Sequence, residues 1–156
     1  MGSVLALHLS SMFKFNASIF ASTVLDNNNN ISIHVLAPLL HRVFPFRSKY
    51  KLIPKEKRNK IIFFGYDVWP SSAVNEMRKL INRVKKELSK IKSPSLIIHS
   101  KVDLLSPQSN ISLVFDSIKS EHKEKLILEN AGHNLFARNP HQEKIFKKVS
   151  SFLNSK

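Results

Sequence analysis

The sequence contains no cysteine, which excludes disulfides, thiol nucleophiles and cysteine metal sites. Glycine is nearly as scarce, and the three glycines are Gly2, Gly65 and Gly132. Because they lie far apart, the sequence contains neither a phosphate-cradling glycine loop nor a complete G-x-S-x-G nucleophile motif. The histidines and carboxylates also match no standard metal-ligand spacing, so we expect no metal site.

Long apolar runs are absent as well. No run approaches the roughly 20 residues that a membrane-spanning helix requires. The N-terminus is apolar, but no lysine or arginine precedes it, which is atypical of a secretory signal peptide. We therefore expect a cytoplasmic protein.

Acidic residues are few, with 11 aspartates and glutamates against 25 lysines and arginines, and the net charge is +14. Two origins of this charge stay open. A basic surface can bind nucleic acid or an anionic membrane, but a sequence rich in lysine, asparagine and isoleucine also arises from AT-rich coding DNA. Residues 42–60 concentrate the charge, with Glu56 as their one acid. No RNP, KH, helix-turn-helix or zinc pattern is present, so we expect no specific nucleic-acid partner and at most weak contact with an anionic membrane surface.

The overall composition, with 42% hydrophobic and 23% charged residues, is typical of a globular domain. Two apolar runs, residues 96–98 and 126–128, are too short for helices and do not alternate, which indicates buried parallel strands. A third strand is predicted over residues 17–25. Apolar residues at helical spacing predict helices over residues 4–13, 71–91, 108–120 and 140–153. The sequence therefore predicts the α/β class.

The sequence also predicts where some of these helices begin and which of their residues face the core. The first helix places Leu5, Leu9, Met12 and Phe13 at helical spacing, as a core-facing stripe would. The closing helix is expected to have Pro140 near its first turn, where its missing N–H does no harm. Its inward residues are predicted to be Ile145, Phe146, Val149, Phe152 and Leu153. Residues 31–44 are predicted to form a kinked or broken helix, because they contain Pro38.

Two chemically useful side chains follow the last two strands. Asp103 lies in the loop after residues 96–98, and His133 lies in the loop after residues 126–128. In such sheets ligands gather at the carboxyl ends of the strands, where both loops are expected. A carboxylate that orients a general-base histidine is two thirds of a nucleophilic triad.

Three segments carry a resemblance to a known family. The first residues, MGSVLAL, match the part of a G-x-S-M-G-[GS]-x-L-A-L pattern that follows its serine. A P-x-L-I-I-H-x-x-x-D-x-x-x-P pattern is matched through Pro94, Asp103 and Pro107, and a G-H pair is matched by Gly132 and His133. The chain resembles the C-terminal part of an α/β-hydrolase of the carboxylesterase or monoacylglycerol lipase type, which is also the serine aminopeptidase S33-like type.

The resemblance implies a partial α/β-hydrolase fold, with parallel strands flanked by helices and a cap insertion. Residues 1–25 would supply the helix and strand that follow the nucleophile, residues 26–70 the cap, and residues 71–156 the core with the Asp and His loops. The cap contains Phe44, Phe46, residues 61–64, Tyr66 and Trp69. Ordinary packing inside the cap and an acyl-chain pocket both stay open as explanations of these apolar residues.

The resemblance also implies a serine hydrolase that cleaves acyl esters or monoacylglycerol-type lipids through an acyl-enzyme. His133 would be the general base, Asp103 its orienting acid, and Met1 a contributor to the oxyanion hole; no cofactor is implied. Ser3 matches a small-residue position and is not the nucleophile. The serine and the first five strands would fall before Met1, so we expect an inactive fragment. The alternative is a basic module that binds nucleic acid or an anionic membrane through residues 42–60.

Overall fold

The computed structural model describes residues 1–26, 43–48, 68–137 and 139–155, apart from the side chains of residues 47 and 69. The helices within these ranges are α1 Gly2–Met12, α2 Ser71–Glu87, α3 Ser109–Ser117 and α4 Gln142–Asn154, and a 3-10 turn, Leu88–Lys90, follows α2. The strands are β1 Ser18–Ala21, β2 Phe46–Ser48, β3 Val68–Pro70, β4 Ser95–Ser100 and β5 Lys123–Leu128. The kinked helix predicted over residues 31–44, the cap residues 61–64 and Tyr66 lie outside the described residues, apart from residues 43 and 44.

The chain divides into two compact units, one comprising Met1–Asn28 with Ile81–Lys156 and the other Asn29–Leu80. In the smaller unit, β2 pairs antiparallel with β3, with Phe46 opposite Pro70. The Ser71 N–H donates to the Pro45 carbonyl at 2.8 Å, which ties the start of α2 to this pair. The domain boundaries predicted at residues 25 and 70 stay a prediction.

The larger unit contains a three-stranded parallel sheet in the order β1-β4-β5. Ser18 lies opposite Ser95, and Ser95 lies opposite Lys123. β4 is central and every one of its residues is buried, because neighbouring strands and packed layers leave it no solvent face. The predicted parallel arrangement of these three strands is confirmed.

The core beside this sheet is one apolar cluster formed by the centre of β4, the end of β5, the loop after β5 and α4. Its buried members are Leu96, Ile98, Leu128, Ala131, Leu135, Ile145 and Phe152. The predicted inward positions of Ile145 and Phe152 are confirmed, and Val149 packs against the cluster. The prediction was wrong for Phe146 and Leu153, which are exposed. Both lie on the flank of α4, beyond the width of the face that meets the sheet.

Pro140 lies just before the first turn of α4, which begins at Gln142 and not at the predicted residue 140. The Asn139 carboxamide oxygen accepts the His141 N–H at 2.8 Å, and the Gln142 N–H donates to the Asn139 carbonyl at 3.2 Å. These bonds form a polar turn around the proline, and the helix begins two residues later than predicted.

Helix α1 is rotated relative to the prediction. Its buried residues are Val4, Leu7 and Ser10. The predicted stripe of Leu5, Leu9, Met12 and Phe13 is 43–59% exposed. The helix is apolar around most of its circumference, so its periodicity could not decide which face would meet the sheet.

Among the described residues, none of the helices combines the length and apolarity needed to cross a bilayer. The cytoplasmic location stays a prediction.

Candidate active site

Asp103 lies in the loop after β4, and the backbone of its own loop fixes its carboxylate. The side chain is fully buried. Its Oδ1 accepts the Leu105 N–H at 2.9 Å and the Ser106 N–H at 3.1 Å. With Oδ1 occupied by two backbone donors, Oδ2 is left for a partner outside the loop.

That partner is His133, which lies in the loop after β5. Its Nδ1 is 2.9 Å from Asp103 Oδ2, and its side chain is 29% exposed. A carboxylate only accepts hydrogen bonds, so the Nδ1 atom carries the proton and Nε2 of the neutral ring keeps its lone pair. The arrangement can therefore remove a proton from a group placed at Nε2. The two residues that the sequence predicted to act together are brought into contact.

The acid loop is tied to the segment that follows β1. The Ser106 hydroxyl donates to the Thr23 carbonyl, and the His99 Nε2–H donates to the Ser106 carbonyl at 3.1 Å. Asn110, at the start of α3, donates through Nδ2 to Ser106 Oγ and to the Asp26 carbonyl, each at 2.9 Å. Its Oδ1 accepts the Asp26 N–H at 2.7 Å. These buried groups satisfy one another, so the loop that carries Asp103 is rigidly supported.

The histidine loop is tied to the same segment. The Ser22 hydroxyl donates to the His133 carbonyl at 2.7 Å, and the Leu135 N–H donates to that carbonyl at 3.1 Å. On the other side, the Ala131 N–H donates to Ser100 Oγ at 3.1 Å. Sequence analysis missed Ser22, Ser106 and Asn110. No local signal marked them, because Ser22 fell inside the strand predicted over residues 17–25 and Asn110 inside the helix predicted over residues 108–120.

A pocket of about 290 Å³ opens beside His133. Its lining is formed by the start of α1, the end of β1 and the histidine loop, namely Met1, Gly2, Ser3, Ala21, Ser22 and residues 133–137. The structure thus places Met1 in the same pocket as His133. Burial lowers the pKa of the Met1 α-amino group below its usual value. The Ser3 hydroxyl is hydrogen-bonded to Thr23 Oγ1. In the described part of the chain, no group of three or more histidines or carboxylates is arranged to hold a metal ion.

A second histidine–carboxylate pair joins α1 to the end of α2. His8 Nδ1 is 2.8 Å from Glu87 Oε2, and Ser11 Oγ donates to the same oxygen at 3.3 Å. Burial raises the pKa of Glu87, but the bonds from His8 and Ser11 and the nearby Lys90 outweigh it and lower the pKa below 4.5. Ser11 bonds the Glu87 carboxylate and the His8 carbonyl but not the His8 ring, so this is not the order of a nucleophilic triad. The pair serves to hold two helices together.

The sequence model of one family, described as serine aminopeptidase, S33, matches residues 67–140. This range includes Asp103 and His133. The chain is also 31% identical over 69 residues to a thermostable monoacylglycerol lipase from Bacillus sp. (strain H-257). That alignment covers 44% of this chain and 28% of the relative.

Solved structures extend the likeness to the whole chain. The monoacylglycerol lipase of Paleococcus ferrophilus superimposes with a TM-score of 0.78 at 19% identity, covering 98% of this chain and 65% of that protein. A structure from the work on LipS and LipT, two metagenome-derived lipolytic enzymes, gives a TM-score of 0.81 at 22% identity, with coverages of 100% and 62%. The chain thus spans less than two thirds of the length of the relatives it matches. At these identities the likeness is one of fold.

Proposed function

We propose that the chain carries the acid and the general base of a serine ester hydrolase, because it shares its fold with a monoacylglycerol lipase and is similar in sequence to another over 69 residues. The observation that supports this most directly is the hydrogen bond of 2.9 Å between His133 Nδ1 and Asp103 Oδ2. The carboxylate is buried and held by two backbone N–H groups, whereas the histidine is partly exposed beside a pocket. A fixed acid behind an accessible base is what acyl transfer requires.

In this mechanism, His133 Nε2 takes the proton of a serine hydroxyl while the serine oxygen bonds to the ester carbonyl carbon. The Asp103 carboxylate stabilises the imidazolium that forms. When the tetrahedral intermediate collapses, the bond to the alcohol oxygen breaks and that oxygen takes the proton from His133. Water then repeats these steps on the acyl-enzyme, which releases the carboxylate and regenerates the serine. In the proposal, the backbone nitrogen of Met1, which is a peptide N–H once the nucleophile segment precedes it, contributes to the oxyanion hole.

The nucleophile is proposed to come from polypeptide that completes the sheet at β1. The N–H groups of Ser18 and Ser22 donate towards β4, at 2.8 Å to Pro94 and 2.9 Å to Ile98. Because N–H groups alternate along a strand, those of Ile19 and Ala21 point to the other edge, where no described strand pairs. A parallel strand added there would end at the same side of the sheet as β1, beside the pocket that His133 lines. Without that strand, we propose that the chain is inactive.

The proposed substrate is a carboxylic ester with an acyl chain, of the monoacylglycerol type. The support is the similarity to proteins named as monoacylglycerol lipases. Weak contact with an anionic membrane surface stays part of the proposal because the chain carries a net charge of +14. The alternative of a basic binding module depends on residues 42–60, of which only residues 43–48 are described. No observation on these residues favours it, so it stays a prediction.

Labelling by a serine-directed fluorophosphonate tests the proposal. The segment of the Paleococcus ferrophilus lipase that precedes its match to this chain is joined ahead of Met1. We expect no labelling of the present chain and clear labelling of the joined protein. His133→Ala should abolish that labelling, whereas His122→Ala, which changes a histidine whose side chain is 54% exposed, should preserve it.

Two results would contradict the proposal. Strong labelling of the present chain would mean that it carries its own nucleophile. Unchanged labelling of the joined protein after the His133 substitution would mean that this histidine is not the base.

A further inference from the structure

Ser22, the residue directly after β1, has an unusual backbone conformation. Its φ is 47°, in the left-handed region that favours glycine, and among the described residues it is the only non-glycine residue with positive φ. A serine in this region is disfavoured relative to glycine, and such positions persist when the surrounding structure enforces them. The side chain is also buried, so solvent contact does not explain the choice of serine.

In this backbone conformation, the Ser22 hydroxyl reaches the backbone of the histidine loop. Ser22 donates to the His133 carbonyl at 2.7 Å, while its own N–H donates to the Ile98 carbonyl at 2.9 Å. The next residue, Thr23, accepts the Ser106 hydroxyl through its carbonyl. Two consecutive residues after β1 therefore hold both loops of the candidate site, one through the histidine backbone and one through the acid loop.

The bond from Ser22 to the His133 carbonyl restricts a movement of the imidazole ring that the bond to Asp103 leaves free. Asp103 contacts the ring only at Nδ1, and a single hydrogen bond leaves the ring free to pivot about that contact. A second anchor, on the backbone of the same residue, restricts the pivot and so restricts the direction of Nε2. Ser22 and His133 line the same pocket, so the anchor lies next to the place where Nε2 would act.

We propose that Ser22 is a positioning residue for His133, and that its hydroxyl is the reason a serine occupies a position where glycine would be less strained. The catalytic consequence of this proposal rests on the function proposed above. The structural consequence, an ordered histidine loop, does not depend on it.

Two substitutions separate the hydroxyl from the backbone strain. Ser22→Ala removes the hydroxyl and keeps the disfavoured conformation, whereas Ser22→Gly removes the hydroxyl and relieves the conformation. The matched control is Ser11→Ala, because the Ser11 hydroxyl also donates at 2.7 Å to a histidine carbonyl, that of His8. The control residue lies in α1 and contacts neither loop of the site through any described bond.

The first measurement is hydrogen–deuterium exchange by mass spectrometry on the present chain at low micromolar concentration. We expect faster exchange over residues 129–137 in both Ser22 variants, by about tenfold if one hydrogen bond is lost, with other segments unchanged. Ser22→Gly should melt at a higher temperature than Ser22→Ala, because only the glycine relieves the strain. Ser11→Ala should leave residues 129–137 unchanged.

The second measurement is esterase activity in the joined protein that carries the lipase segment. Both Ser22 variants should lose kcat by about tenfold or more with KM within about twofold, because misplacement of a general base affects the chemical step more than binding. Wild-type kcat in Ser22→Gly would overturn the proposal, since it would leave only the backbone to explain the residue. Unchanged exchange over residues 129–137 in both variants would overturn it as well.

The two proposals fail separately. If the joined protein is inactive in every form but the loop exchange responds as expected, the ester hydrolase function fails and the anchoring role of Ser22 stands. If the wild-type joined protein is active and neither exchange nor kcat responds to the Ser22 substitutions, the function stands and the role of Ser22 fails.

Discussion

Two substitutions of Asp103, to asparagine and to alanine, should reduce catalysis to a similar extent but should differ in their effect on stability. Asp103→Asn keeps the shape of the side chain, and its carboxamide oxygen can still accept the N–H groups of Leu105 and Ser106. The amide nitrogen then faces His133 Nδ1, and because it only donates, the ring must take the tautomer with its proton on Nε2. In that tautomer the histidine has no lone pair for the nucleophile.

Asp103→Ala removes the acceptor entirely. The two backbone N–H groups at 2.9 and 3.1 Å lose their partner, and a buried donor without a partner costs about 1–3 kcal/mol. The Ser106 N–H is part of a buried residue, so water replaces the lost acceptor poorly. We expect Asp103→Ala to be about 2 kcal/mol less stable than Asp103→Asn, a difference that comes from these donors and not from the histidine.

The assay combines urea unfolding with fluorophosphonate labelling in the protein joined to the lipase segment. Both variants should lose about 10³- to 10⁴-fold in labelling rate, as triads do when the acid is changed, although their stabilities differ. Two results would refute the reasoning. Labelling of Asp103→Asn within tenfold of wild type would exclude the tautomer argument, and equal stability of the two variants would exclude the donor argument.

Further predictions follow from the core, from the buried network and from the second histidine pair. Phe152→Ala should cost about 3–5 kcal/mol in urea unfolding, because the ring is fully buried in the apolar cluster. Asn110→Ala should cost about 2–4 kcal/mol and speed hydrogen exchange around Asp26, since both polar atoms of the carboxamide bond that backbone. Glu87 has a lowered pKa, so its contribution to stability is present above about pH 4.5 and is lost as the pH falls through the lower folded pKa. Urea midpoints measured across that range should show the cost of Glu87→Gln largest near neutral pH and smallest in acid.

Neighbouring residues provide the controls. Leu153→Ala, at a residue 46% exposed beside Phe152, should change stability by less than about 1 kcal/mol. Glu76→Gln, at a carboxylate whose side chain is 66% exposed, should change stability by less than about 1 kcal/mol. An equal loss in the Phe152 and Leu153 variants would contradict the description of the core. A cost of Glu87→Gln that did not change with pH would contradict the account of that pair.

The parts of the fold that sequence analysis predicted correctly are those whose signal is local. The centre of β4, residues 96–98, is a short unbroken apolar run, which is typical of a central parallel strand. Asp103 and His133 were identifiable because each follows such a run, and the carboxyl ends of parallel strands meet at one edge of the sheet.

The errors occurred where contact with a neighbouring element determines which residues are buried. Helix α1 is apolar on several faces, so the choice of Val4 and Leu7 as its buried side depends on the sheet it meets. The exposure of Phe146 in α4 likewise depends on how wide a face the core covers. The hydroxyl of Ser22 and the carboxamide of Asn110 act on backbone groups 111 and 84 residues away in the chain, at distances no local pattern encodes.

The polar contacts at the ends of the strands also affect the register in which the strands pair. Residues 96–98 in the centre of β4 are all apolar, and β4 is buried on both faces. A slip of one position along a neighbouring strand would therefore still place an apolar side chain at two of these three sites. The bond from Ala131 to Ser100 cannot tolerate that slip, and neither can the bond from Ser22 to His133. The groups that hold the histidine loop therefore also distinguish the native pairing from its shifted competitors. A variant that lost both bonds would be expected to populate misaligned sheets, with the composition of its core unchanged.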